Sequence, residues 1–380
     1  MLCRISSIQT TSYDPQELDR AIEHHFASFA DLSIDWPGSK ILIKPNLLMK
    51  RSPDEATTTH PEFAVAVVRK LKSLGALDIT IADSPGGPFN KQLLESVYKA
   101  TGMSETARIT GAKLNTDVGW QTIANRATNG CCPSFNLINP IADADVIINL
   151  PKLKTHAMTT LSGGVKNLLG CVPGLQKPEM HFRFPEKRQF GQMLVEIAQT
   201  VKPQLTIIDA VVAMEGNGPS SGSPKFVGWT FASDNAESLD LALCHLIGVP
   251  PAEVCTVAYS LKKGSVPLSL DDIEFIGTKP EPIADFKRPD SHVSLDNFTK
   301  SLPDFLQVPA RKLVVKLFTP KPRIKKRWCI GCQKCAESCP QKVIYMVRRK
   351  ARIKYEGCIK CFCCHEMCPV RAIDIKRIKL

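Results

Sequence analysis

The chain has 380 residues, 43% of them hydrophobic and 23% charged, a composition that excludes a disordered, collagenous or coiled-coil protein and is more than one small domain needs. No apolar run approaches the roughly 18 residues of a membrane helix, and residues 1–7 lack the apolar centre of a secretory signal, so a cytoplasmic location without membrane contact is expected. The formal charge of +12 resides in the tail: residues 321–380 hold 17 Lys/Arg against 4 Asp/Glu, whereas residues 1–320 hold 32 against 33.

Taken from the N-terminus, apolar periodicity predicts helix over 16–30, a buried strand over 40–44, helix over 61–74 with Pro61 in its first turn, and strand over 77–83. Helix is predicted next at 91–100, strand at 146–150, helix at 188–201, strand at 205–210 and helix at 236–247. Repeated strand–helix units imply an α/β fold with a mostly parallel, Rossmann-like sheet flanked by helices. This pattern defines a domain over 1–285. A linker follows over 286–324, where Pro303, Pro309, Pro320 and Pro322 interrupt the periodicity, and a small domain occupies 325–380. Short helices are expected at 302–308 and 311–317, and 321–327 reads as the hinge.

Ligands of open parallel sheets sit beyond the carboxyl ends of the strands. Those exits carry Lys44-Pro45-Asn46, Asp83-Ser84-Pro85-Gly86-Gly87, Lys152-Leu153-Lys154-Thr155-His156 and Glu215-Gly216-Asn217-Gly218. A glycine-rich loop over 162–174 adds Lys166 and Asn167, and its backbone N–H groups are expected to approach an anion. Neither G-x-x-x-x-G-K-[ST] nor G-x-G-x-x-G occurs, which removes the best support for ATP or NAD. The expected ligand is a small anion, a carboxylate or phosphate, bound by Lys44, Asn46, His60, Asp83, Lys152, Lys166 and Asn167. Catalytic candidates are His156, His181, Lys154 and Glu215; the bland alternative is a set of surface charges on long loops. Cys171 reads as a small buried hydrophobe.

These words, together with Thr59-His60-Pro61, Gly163-Gly164-Val165-Lys166-Asn167 and the stretch from Asp209 to Pro219, occur in the order that resembles the domain of unknown function 362 family, over about residues 38–280. The resemblance implies an α/β domain and a site at these motifs, names no substrate, and fits a ferredoxin-type tail.

Nine of the fifteen cysteines lie between Cys329 and Cys368, and clustered thiols in a reducing compartment argue for metal. Both runs read C-x-x-C-x-x-C-x-x-x-C-P, which resembles the bacterial two-cluster ferredoxin. That resemblance implies a small α+β ferredoxin-like domain with two [4Fe-4S] clusters. One would take Cys329, Cys332, Cys335 and Cys368, and the other Cys358, Cys361, Cys364 and Cys339. A zinc ribbon would leave half of these cysteines idle. Cys363 is surplus.

Residues 343–355 read as a hairpin with a basic tip, either a solvated turn or an electrostatic dock for an acidic redox partner protein; nucleic-acid binding is not expected. The function that follows is an iron-sulfur protein passing single electrons, acting as an oxidoreductase on a small anionic substrate. The alternatives are a dedicated electron carrier whose α/β domain docks a partner enzyme, and a non-redox enzyme with structural or sensing clusters.

Overall fold

A computed structural model of the chain describes residues 3–291 and 319–376. The helices expected at 302–308 and 311–317 lie outside the described residues.

Sixteen strands are described: β1 (Cys3–Gln9), β2 (Lys40–Pro45), β3 (Asp78–Ile81), β4 (Lys113–Leu114), β5 (Trp120–Ala124), β6 (Ser134–Ile138), β7 (Val146–Leu150), β8 (Lys152–His156), β9 (Thr160–Ser162), β10 (Leu205–Glu215), β11 (Ser223–Ser233), β12 (Ile273–Gly277), β13 (Lys321–Ile324), β14 (Ile344–Val347), β15 (Lys350–Ile353) and β16 (Ile373–Lys376). The main sheet runs β12-β1-β11-β10-β7-β2-β3-β4, with β8 joined to β10 and β9 joined to β8. β10, β7, β2, β3 and β4 form its parallel centre, and β11 is antiparallel to both of its neighbours.

The central strands carry continuous apolar runs because both faces are covered. Ile41 and Ile43 pack with Leu18 and Ile22 of helix Pro15–Ser28 and with Phe63 and Val67 of helix Pro61–Ser73. Leu42, between them, turns to the opposite layer and joins Phe190, Met193 and Leu194 of helix Lys187–Val201. Burying each such side chain stabilises the fold by about 1.5–3 kcal/mol, so a one-residue slip of β2 would exchange its two apolar sets.

The helices that follow the strands start where the sequence provides caps. Asp14 accepts from the backbone N–H groups of Gln16 and Glu17, and Asn90 caps helix Lys91–Ala100 through Leu93 N–H. Pro151 separates β7 from β8; lacking an N–H, it interrupts a path that continues along β10. That break points β8 toward the carboxyl ends of β2 and β3.

The small lobe is built from β13–β16 and two short helices, Lys334–Glu337 and Cys363–Glu366. β13 pairs antiparallel with β16, so Lys321–Ile324 is a strand of this lobe and not the hinge that its prolines and charges suggest. The hairpin is present as β14 and β15. The lobe docks on the α/β lobe: Ser220 donates to the Glu366 carbonyl at 2.7 Å, and Arg371 pairs with Glu55 at 2.7 Å. Ala157, Phe362 and Ile375 form an apolar contact between the lobes. No helix among the described residues is long and apolar enough to cross a membrane.

Candidate functional site

A cleft opens at the carboxyl ends of β2, β3 and β8. Its walls include Lys44, Asn46, Asp83, Lys154, His156, Lys166, Asn167 and His181 from the α/β lobe, and Ser338, Cys363, Glu366 and Met367 from the small lobe. Gly86 makes the closure possible: a Cβ there would stand 2.4 Å from the Met367 sulfur.

The base of the cleft is a closed polar net. Lys44 pairs with Asp83 at 2.8 Å and donates to Pro45 O and Asn167 Oδ1, so its three hydrogens are all engaged. Asp83 also accepts from the backbone N–H groups of Leu47 and Ser84. A Cβ at Gly170 would lie 2.3 Å from Asp83 Oδ1 and 2.6 Å from Lys44 Nζ, which explains why only glycine fits against this buried pair. Asn46 donates to Asn167 Oδ1 and accepts from Lys154 Nζ at 2.7 Å. Lys177, which the sequence did not single out, spans Ser84 Oγ, Ser84 O and Val172 O. Burial lowers the ammonium groups of both Lys154 and Lys177 to about 7.

Three donors remain for a ligand. Lys154 uses two of its hydrogens, on Asn46 Oδ1 and Thr57 O. Lys166 Nζ has no hydrogen-bond or ion-pair partner among the described residues, and burial lowers its pKa. His156 accepts at Nδ1 from the Met158 and Thr159 N–H groups, so the neutral ring carries its hydrogen on Nε2. That buried Nε2 has no hydrogen-bond partner among the described residues and stands 3.7 Å from Glu366 Oε2. Burial and then the neighbouring Lys166 hold His156 well below the ordinary histidine range. His181, stacked on Phe190 and lowered by burial to about 3, is neutral too.

Three expected site residues do not reach the cleft. Lys152 Nζ pairs with Asp209 at 2.8 Å and donates to Tyr13 Oη, within a buried cluster outside the cleft. His60 stacks on Tyr13 at 3.6 Å, caps helix Pro61–Ser73 by accepting from Glu62 N–H, and is lowered by burial to about 4. Glu215 binds the Lys287 backbone N–H at 2.9 Å and the Lys287 ammonium at 3.4 Å. The glycine loop also differs from expectation. It forms helix Gly164–Asn167, and the N–H groups of Gly164 and Val165 are taken by Asp240 rather than left for an anion.

The thiols of the small lobe line two separate cavities. One is lined by Cys329, Cys332, Cys335 and Cys368, the other by Cys339, Cys358, Cys361 and Cys364. No three of these thiols converge on a point fit for a single ion among the described residues, whereas a four-iron cube holds its thiolates apart at its corners. Cys363 lines neither cavity; it forms part of the cleft wall and its thiol contacts that of Cys361.

Residues 41–245 match the family described as Domain of unknown function (DUF362). The chain belongs to this family. Residues 321–369 match a 4Fe-4S dicluster domain, so the chain carries two [4Fe-4S] clusters with an electron-transfer role. Over 239 residues it is 35% identical to a thylakoid-associated protein of Synechocystis sp., covering 62% of this chain and 71% of that protein. A lactate racemase apoprotein from Thermoanaerobacterium thermosaccharolyticum aligns at 14% identity and a TM-score of 0.39 over 63% of this chain; the chain spans 56% of that structure.

The donor sets fit such clusters: two crossed groups of four thiols, each around an apolar cavity. Backbone N–H groups already point at two of the sulfurs, Ala351 toward Cys329 and Ala372 toward Cys368. Sequence reasoning missed Lys177, Glu366 and Met367, and named Ser84 only within its strand-exit motif. Lys177 follows Gly174 closely in the loop, but the other lobe's residues enter only through tertiary docking.

Proposed function

We propose that the protein is an iron-sulfur oxidoreductase whose cleft binds a small organic anion beneath the cluster-bearing lobe. The observation that carries this reading is the buried, unpartnered His156 Nε2–H beside Lys166, whose ammonium lines the same cleft without a partner among the described residues, under a wall supplied by the lobe that holds the cluster cysteines. A bound carboxylate or phosphate oxygen would satisfy both, since a buried donor left unpaired costs about 1–3 kcal/mol. The clusters, when bound to Cys329, Cys332, Cys335 and Cys368 and to Cys358, Cys361, Cys364 and Cys339, supply electrons one at a time.

This chain's residues do the remaining work. Lys166 and His156 hold the anion, and the Lys44–Asp83–Asn167–Asn46 net fixes the position of Lys154. Lys154, lowered to about 7, moves the proton that accompanies reduction of an organic group. His156 and His181 are neutral and serve as a hydrogen-bond donor and a wall. Ser338, Cys363 and Met367, chain neighbours of the cluster cysteines, close the cleft from above and exclude water. A carrier whose α/β lobe only docks a partner would have no need of buried donors left free in a cleft; the unpartnered His156 Nε2–H favours an enzyme.

The test is anaerobic oxidation of reduced methyl viologen by the holoprotein against a panel of small carboxylates and phosphates. At least one anion should accelerate it, and Lys166→Met should abolish the acceleration. Anions that bind in the cleft without any of them drawing electrons would refute the proposal.

A further inference from the structure

Electrons must also enter the small lobe, and part of its surface is built unlike an ordinary solvated face. Cys332 is the exposed thiol of the lobe, and the residues flanking its loop, Trp328 and Ile330, are 57% and 59% exposed. None of the three lines the cleft. The tip of the β14–β15 hairpin lies against the same loop: a Cβ at Gly331 would meet Arg349 O at 2.4 Å, and Lys350 Nζ donates to Cys329 O at 2.5 Å. Lys326, Arg327, Arg348 and Arg349 are exposed here and form no ion pair among the described residues.

The hairpin tip breaks a local rule. Val347 pairs with Lys350, which leaves Arg348 and Arg349 as a two-residue turn with φ of 46° and 60°. Such turns strongly prefer Asn-Gly, and a left-handed conformation costs an ordinary residue about 1–2 kcal/mol. Two arginines placed there against backbone preference, beside exposed tryptophan and isoleucine, give a basic rim around an apolar centre, which is the anatomy of an interface.

We propose that this face docks an acidic single-electron carrier protein. One electron leaves the reduced carrier and enters the cluster beside Cys332, with no bond made or broken and no proton moved. The inference rests on the electron-transfer role and is independent of which anion occupies the cleft.

The decisive variant is Arg348→Asn/Arg349→Gly, which removes two charges and relieves the turn. In the anaerobic holoprotein without any cleft anion, reduction by a strongly acidic plant-type [2Fe-2S] ferredoxin is followed by stopped flow. Its binding is measured by calorimetry at low and high salt. The variant should have an equal or higher Tm, unchanged reduction by the small reductant dithionite, and ferredoxin reduction about tenfold slower with a flatter salt dependence. Arg348→Glu/Arg349→Glu should slow it further. Unchanged ferredoxin binding and rate in both variants would overturn the proposal, as would a parallel loss with dithionite, which would place the defect in the cluster. Either result leaves the anion-dependent viologen assay to stand or fall separately.

Discussion

Replacing Lys166 by methionine separates a ligand-binding lysine from a structural one. Its side chain is buried in the cleft wall, its ammonium has no hydrogen-bond or ion-pair partner among the described residues, and burial already disfavours its charge. Methionine fills a similar volume and removes that desolvation cost, so Tm should hold or rise. Anion binding should fall by the worth of one charge-assisted hydrogen bond, about 1.5–3 kcal/mol, which is roughly 10- to 150-fold in Kd. Calorimetric titration of the anaerobic holoprotein with oxalate and inorganic phosphate, beside a thermal melt, reads both quantities. The opposite signs are the diagnostic. Unchanged affinity, or a fall in Tm that accompanies the lost binding, would refute the assignment.

Three further outcomes follow from the same geometry. Lys154, lowered to about 7 from the model-compound value of 10.5, sheds its proton first in the folded state. Its contribution to stability therefore rises as pH rises from 7 toward 10.5, while anion affinity strengthens as pH falls through 7 and levels below it; calorimetry from pH 6 to 8.5 that shows no such inflection, or one that persists in Lys154→Met, would count against the role. Lys152→Met leaves the fully buried Asp209 without its ammonium partner and should lower stability by about 3–5 kcal/mol in denaturant titration, with oxalate affinity intact. Cys332→Ser and Cys361→Ser should each diminish one cluster of the two, so that iron analysis falls from about eight per chain toward about four. A loss confined to zinc would contradict the two-cluster assignment.

The parallel strands were legible because burial on both faces writes a continuous apolar run, as in Ile41-Leu42-Ile43 and Val146-Ile147-Ile148. β8 was not legible. Its Lys152, Lys154 and His156 read as a polar strand exit, yet all five residues are buried, because Asp209, Asn46 and the Met158 N–H engage those side chains within the fold while leaving His156 Nε2 free. Likewise, His60 and Lys152 look like site residues from their strand-end positions, and only Tyr13, from a distant segment, shows that they serve a structural cluster. β1, β11 and β12 mix serine, threonine and glutamate into short apolar stretches, so their edge-side pairing left a weak period. The cysteine spacing carried the tail almost completely, since ligand geometry tolerates little variation. Its docking over the cleft through Gly86, Ser220 and Arg371 left no local signal.

An oxidoreductase of this build needs a cleft anion and the cluster-bearing lobe to sense one another. Midpoint potentials of the clusters, measured by anaerobic redox titration with and without saturating phosphate, which is not itself reducible, test this directly. A negative charge in the low-dielectric cleft opposes an added electron, so phosphate should lower the potential of at least one cluster. Each tenfold preference for the oxidised protein corresponds to about 59 mV, and Lys166→Met should remove the shift. Phosphate that binds tightly while both potentials stay where they were would contradict the account.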